Sequence, residues 1–140
     1  MPDLTFTITQ RTGNKAHGTV VWPAKNLSGT AVSGSSGSPF INVGTWTARR
    51  VKLLDKPPGS PYCDASSASS ATGHCWFQAF EDQFGRTEIG IHPDGGTPDA
   101  TDGCIGLQVA NTKPWYDAFY AVPAAASVTV GVVDATPPNP

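Results

Sequence analysis

Residues 86–107 have the sequence RTEIGIHPDGGTPDATDGCIGL, and this stretch decides which fold and chemistry the chain predicts. Residues 88–91 and 104–109 have the alternating, aliphatic character of short strands. Gly, Pro and Asp residues fill the interval between them, as is typical of turns. Because His92 ends the first strand and Cys104 begins the second, we expect two neighbouring strand ends to bring an imidazole and a thiol together.

The composition favours a mostly β fold around this stretch. The chain has 140 residues, of which 15 are Gly, 13 are Pro and only 14% are charged. Frequent turn formers with abundant Ser, Thr and Ala favour short strands joined by turns over long helices. The length suits one domain, which we expect at residues 1–134, followed by a proline-rich tail at residues 135–140.

Alternation of apolar and polar residues predicts the remaining elements. A turn at residues 12–15 predicts an N-terminal hairpin, and Pro114 near a first helical position predicts a short helix with Asn111 or Thr112 as its N-cap. Small and polar residues predict loops at 31–40 and 55–73. The expected strands are residues 4–9, 18–22, 42–48, 74–80, 86–91, 104–109 and 127–133.

Charge and hydropathy exclude several partners. The net charge is -2, and the Arg49-Arg50 pair is the largest basic cluster, so we expect neither nucleic acid nor an anionic membrane as a partner. No apolar run approaches 18 residues, and the N-terminus lacks the pattern of a secretory signal. We therefore expect a monomer without a membrane span, synthesised in the cytoplasm without an export signal.

Three cysteines leave one unpaired whatever the others do. Cys63 and Cys75 either form a disulfide, which would stabilise by roughly 3 kcal/mol, or remain two separate thiols. Zinc held by His74 with these cysteines lacks paired ligand spacing, so we expect no metal or cofactor. Cys104 stays free in both cases, and a free Cys in a polar loop favours a reactive thiol.

The residues around Cys104 suit nucleophilic catalysis. A thiol becomes a strong nucleophile as its thiolate, so it needs a base, and His92 is the natural candidate. Gly103 permits unusual backbone dihedrals that turn main-chain N–H groups toward a developing oxyanion. We therefore expect Cys104, His92 and the Gly103 backbone to form a catalytic group.

The same residues resemble the L,D-transpeptidase catalytic domains, also called YkuD-like domains. Family members carry a His, a loop, and a Ser/Thr-His-Gly-Cys segment followed by Ile or Val; here His92, residues 101–104 (TDGC) and Ile105 occupy that pattern. The HPDGG start and GCIGL end are similar to a short-loop subgroup found in phage lysis proteins and some antibacterial effectors. Upstream, residues 32–34 and 44–47 resemble the family's small-residue loop and following strand.

The resemblance implies a β-sandwich or β-barrel-like domain with one short helix after the cysteine. It also implies that Cys104 attacks a carbonyl of peptidoglycan stem peptides and that His92 acts first as base and then as acid. The backbone amides of Gly103 and Cys104 would bind the oxyanion.

Two positions depart from the family pattern. Asp102 stands where the family has His, and Gly106 where it commonly has Arg. Substrate binding is therefore assigned to Arg86, on the same alternation face as His92, and to Thr101 and Trp115. Asp102 is a candidate to orient His92; Asp94 and Asp99 are alternatives, as is the commoner role of a turn Asp that caps its own backbone.

The expected function is hydrolytic. The lack of an export signal favours a phage endolysin or an effector-type L,D-carboxypeptidase or endopeptidase that reaches the periplasm or cell wall after release. One alternative is a true L,D-transpeptidase that cross-links or exchanges D-amino acids. Another is a non-catalytic β module that binds cell wall or belongs to a virion, and Asp102 in place of His supports it.

Overall fold

The computed structural model describes residues 2–34, 40–55, 62–64, 73–80, 89–94, 103–123 and 126–136. Within these ranges, eight strands close into one barrel and one short α-helix follows Cys104, which confirms the expected mostly β class. The strands are β1 Leu4–Thr12, β2 Lys15–Trp22, β3 Leu27–Ser33, β4 Gly44–Asp55, β5 Trp76–Phe80, β6 Gly90–Pro93, β7 Ile105–Leu107 and β8 Ser127–Asp134. A short 3-10 turn spans Pro23–Lys25, and helix α1 spans Lys113–Ala121.

The barrel combines hairpin neighbours with long-range pairings. Its strand order is β1-β2-β3-β7-β6-β5-β4-β8, with β8 closing against β1. The β1–β8 and β6–β7 pairs are parallel, and the other pairs are antiparallel. The parallel β6–β7 pair places residues 91–93 beside residues 105–107.

Apolar side chains at every second strand position fill the barrel, as the alternation predicts. Helix α1 contributes Phe119, whose ring lies between those of Trp22, 4.9 Å away, and Trp76, 5.4 Å away. Trp22 ends β2 and Trp76 begins β5, so Phe119 anchors the helix at these strand ends. Fully buried core residues include Leu4, Phe6, Ile8, Val20, Ile91, Ile105, Leu107 and Val130.

Most predicted local elements are confirmed. Thr12 pairs with Lys15 across a two-residue turn, as the hairpin prediction requires, and Gly13 has a φ of 62° there. Helix α1 has Thr112 as its N-cap and Pro in its first positions. The last strand extends to Asp134, and the Ala135 N–H beyond it still donates to the Ile8 carbonyl at 2.9 Å.

Two loop predictions were wrong in part. Residues 31–33 belong to β3, because Ala31 and Val32 pair with β7 and provide buried positions that small residues can fill. Within 55–73, the described residues Cys63 and Asp64 are buried rather than exposed on a surface loop. Cys63 and Cys75 form a disulfide across an isolated antiparallel bridge, which settles the open alternative.

A buried carboxylate connects this bridge to helix α1. The Asp64 carboxylate accepts hydrogen bonds from the Thr112 N–H at 2.6 Å and the Thr112 hydroxyl at 2.7 Å, and Nδ1 of His74 lies 3.1 Å from it. The Thr112 hydroxyl in turn accepts a bond from Trp76 Nε1 at 3.1 Å. Thr112 therefore occupies the N-cap position without making a side-chain capping hydrogen bond, because its hydroxyl donates to Asp64 instead of accepting from a helical N–H.

We expect the Asp64→Ala variant to lose about 3 kcal/mol of unfolding free energy, since two buried donors of Thr112 lose their acceptor. Urea unfolding followed by tryptophan fluorescence measures the change. Asp117→Ala is the matched control, because Asp117 lies exposed on α1 and pairs only with Lys113 at the surface. Equal stability of the two variants would contradict a structural role for Asp64.

Candidate active site

The register of β6 and β7 brings His92 and Cys104 to neighbouring positions. Ile91 pairs with Ile105 and His92 with Gly106. Ile91 and Ile105 belong to the core, so alternation turns His92 and Gly106 to the opposite face. Cys104 directly precedes β7 and belongs to the same buried cluster as Ile91 and Ile105. Ordinary sheet spacing puts a position two residues before Gly106 roughly 8 Å from the Cα atom of His92.

A backbone carbonyl determines the tautomer of His92. Its Nδ1 lies 2.6 Å from the Pro93 carbonyl oxygen. Because a carbonyl can only accept, neutral His92 carries its proton on Nδ1 and keeps the lone pair of Nε2 available. Among the residues that the structure describes, the Pro93 carbonyl is therefore the group that orients the ring.

Two aromatic rings hold the imidazole in place. Tyr62 packs edge-on with its ring centroid 4.7 Å from that of His92, and Phe77 stacks nearly parallel at 5.9 Å. Tyr62 directly precedes Cys63, and Phe77 follows Cys75 by two residues, so the disulfide joins the two segments that carry these rings. Sequence reasoning missed both rings, because nothing local to residues 86–107 refers to them.

Burial changes the acidity of His92. The residue is 5% exposed, and this desolvation lowers the pKa of His92 from 6.5 to about 4, although the bond to the Pro93 carbonyl opposes the shift. The imidazole is thus neutral throughout the physiological pH range. An exposed histidine at a strand end would titrate near 6.5, so the low pKa of His92 comes from its burial.

Cys104 is the free thiol of the chain, and its side chain is buried with 4% exposure. The preceding Gly103 has a φ of 115°, a conformation that L side chains rarely adopt, which confirms the expected unusual backbone. The Gly103 carbonyl accepts a hydrogen bond from the Ser33 hydroxyl at 3.1 Å. Sequence reasoning assigned no role to Ser33, although residues 32–34 contributed to the family resemblance.

The structure describes only some of the other predicted site residues. Asp94 is buried directly after β6, where its N–H continues the β6–β7 pairing by donating to the Leu107 carbonyl at 2.7 Å. Arg86, Asp99, Thr101 and Asp102 lie outside the described residues.

Trp115 occupies a different environment from the one predicted. It is 2% exposed and belongs to the hydrophobic core, with its ring beside Gly29. This burial argues against contact with substrate and gives Trp115 a packing role instead. The zinc alternative loses its thiolate ligands, because the sulfurs of Cys63 and Cys75 are joined to each other.

No helix in the part of the chain that the structure describes combines the length and apolar character needed to cross a membrane. Comparison of the chain with protein-family models, with curated proteins and with solved structures found no match.

Proposed function

We propose that this chain is a peptidoglycan-active cysteine enzyme of the L,D-transpeptidase, YkuD-like type, which acts on stem peptides through a thioester on Cys104. The observation that carries the proposal is the paired register of β6 and β7, which pairs His92 with Gly106, two residues after the free thiol of Cys104. The bond between Nδ1 of His92 and the Pro93 carbonyl supports it, because it fixes the tautomer of the proposed base. The positive φ of Gly103 supports it, because this backbone conformation suits an oxyanion site.

The chemistry follows from these atoms. Sγ of Cys104 attacks the carbonyl carbon of a stem-peptide bond while Nε2 of His92 takes the thiol proton. The tetrahedral oxyanion collapses, the C–N bond breaks, and protonated His92 gives its proton to the leaving amine. A thioester on Cys104 remains.

Water or an amine then resolves the thioester. Water gives an L,D-carboxypeptidase or endopeptidase, and an amine from a second stem gives a transpeptidase. We propose hydrolysis in the periplasm or cell wall, because the HPDGG and GCIGL segments resemble those of phage lysis proteins and antibacterial effectors.

Purified muropeptides of defined stem length test the proposal. Incubation with the wild-type chain should remove a terminal D-amino acid or cleave within the stem, as read by mass, and a Cys104→Ala sample serves as the blank. A mass gain from exchange would identify a transpeptidase instead. If no muropeptide changes mass with the wild type, the peptidoglycan proposal is wrong.

A non-catalytic β module is the second candidate, and the burial of Cys104 and His92 favours it. A buried cysteine often packs as a small hydrophobic residue. Labelling of native protein with iodoacetamide separates the two candidates. Slower labelling of Cys104 in a His92→Gln variant than in the wild type supports the enzyme, and equal labelling of the two supports the module.

A further inference from the structure

We propose that Ser33 is a positioning residue whose hydroxyl fixes the peptide bond between Gly103 and Cys104, so that the Cys104 N–H points at the oxyanion. The inference rests on the proposed thioester chemistry and assigns that chemistry a residue outside residues 86–107.

Strand β3 brings Ser33 to this place. Val32 pairs with Gly106 and Ala31 with Leu107, so the antiparallel register carries the end of β3 past the residues that precede β7. Ser33 is the last residue of β3 and is completely buried. Its position therefore follows from the barrel and not from the local sequence around Cys104.

Two contacts with described residues orient the hydroxyl of Ser33. Its oxygen accepts a hydrogen bond from the Ile41 N–H at 2.9 Å and lies 3.1 Å from the Gly103 carbonyl oxygen. Ile41 can only donate and Gly103 can only accept, so the hydroxyl proton must point at the Gly103 carbonyl. Ile41 is itself fully buried, which makes the support rigid.

A hydrogen bond that fixes the direction of the Gly103 carbonyl also fixes the direction of the Cys104 N–H. In a planar trans peptide, the C=O of Gly103 and the N–H of Cys104 point in opposite directions. Gly103 alone would allow this peptide to rotate, because glycine readily occupies both halves of the Ramachandran map. The hydrogen bond from Ser33 to the Gly103 carbonyl restricts the rotation, and in the proposed chemistry this aims the Cys104 N–H at the oxyanion.

Two reactions of the same thiol separate this role from a structural one. Acylation of Cys104 by p-nitrophenyl acetate passes through a tetrahedral oxyanion: Sγ bonds to the acetyl carbon, p-nitrophenolate leaves, and the thiol proton passes to the base. Alkylation by iodoacetamide displaces iodide from an sp³ carbon and develops no oxyanion. Only the acylation by p-nitrophenyl acetate requires a correctly oriented Cys104 N–H.

Ser33→Thr and Ser33→Val form the test pair, because threonine and valine share a shape and only threonine has the hydroxyl. We expect acylation of Ser33→Val to be about 10- to 100-fold slower than that of Ser33→Thr, in line with the loss of one oxyanion donor. Alkylation of the two variants should agree. Intact mass and peptide mapping measure both rates at Cys104.

Thr30→Ala is the matched control. Its hydroxyl donates to the Gln108 carbonyl at 3.4 Å, which is also a contact from β3 to a residue beside β7. Both rates should stay at the wild-type values in this variant. Ser33→Ala should follow Ser33→Val in losing acylation selectively.

Three outcomes overturn the proposal. Equal acylation of Ser33→Thr and Ser33→Val removes the role of the hydroxyl, and parallel loss of acylation and alkylation assigns Ser33 to packing alone. A wild-type chain that is alkylated but never acylated refutes both the thioester chemistry and the role of Ser33. A wild type that is acylated by the ester but leaves muropeptides unchanged contradicts only the choice of substrate.

Discussion

The Cys104→Ser variant should lose at least about 10⁴-fold in the rate of acyl transfer while it keeps the barrel, since removal of a catalytic nucleophile costs this much or more. Serine nearly matches the size of cysteine, but its hydroxyl is a far weaker nucleophile beside the same base. Release of product from muropeptides and of p-nitrophenolate from the ester measures the loss, and circular dichroism follows the fold.

The disulfide makes the control for this variant simple. Cys63 and Cys75 are joined, so the unreduced wild type should gain one iodoacetamide adduct and Cys104→Ser none. An adduct on the variant would show that the bridge is open in solution. A variant that retains more than about a hundredth of the wild-type rate would remove Cys104 from the mechanism.

The His92→Gln variant should lose about 10³-fold in acylation rate, within the range expected for a general base.

The pH dependence of the acylation rate provides a second test of the role of His92. The base form of His92 is the neutral imidazole, which exists above its lowered pKa of about 4. The wild-type rate should therefore fall only as pH decreases through about 4, and His92→Gln should lack that decrease.

His17→Gln is the matched control, because His17 lies on β2 and pairs with residues of β1 and β3 instead of the site. Its rate and its pH profile should equal those of the wild type. A wild-type decrease centred near 6.5, the ordinary value, would show that solvent reaches the imidazole. If the rate of His92→Gln still falls at low pH as that of the wild type does, the titration belongs to a different group.

The low pKa of His92 also bears on when the thiol proton leaves Cys104 in the proposed mechanism. At neutral pH the imidazole carries no charge, so it does not hold a preformed thiolate in an ion pair. In the proposed mechanism the proton moves from Cys104 to His92 as the sulfur attacks, and the resulting imidazolium is costly in its buried position. That cost favours rapid return of the proton to the leaving amine.

Local patterns allowed much of the fold to be predicted from the sequence. The hairpin follows from strand alternation on both sides of Gly13, and helix α1 follows from Thr112 and Pro114, because each depends on residues close in sequence. The sequence also predicted that the strand ending at His92 and the strand beginning at Cys104 are neighbours, and the pairing of β6 with β7 confirms it.

Long-range packing explains what the sequence did not reveal. Closure of the barrel depends on the parallel β1–β8 and β6–β7 pairs, which join segments that no local pattern connects. Tyr62, Phe77 and Ser33 reach the site from three other parts of the chain. The burial of His92 follows from these contacts, so its pKa was also beyond local reasoning. The roles of Arg86, Thr101 and Asp102 stay predictions.

Strand register has a consequence for how such a site changes during evolution or design. The spacing of His92 and Cys104 is set by hydrogen bonds between β6 and β7, and therefore not by the number of residues that connect them. Under the proposed function, changes in the length or sequence of the interval 95–102 should leave the alignment of His92 with residues 104–106 unchanged. A library confined to those positions would test whether substrate choice can vary while the proposed nucleophile and base keep their places.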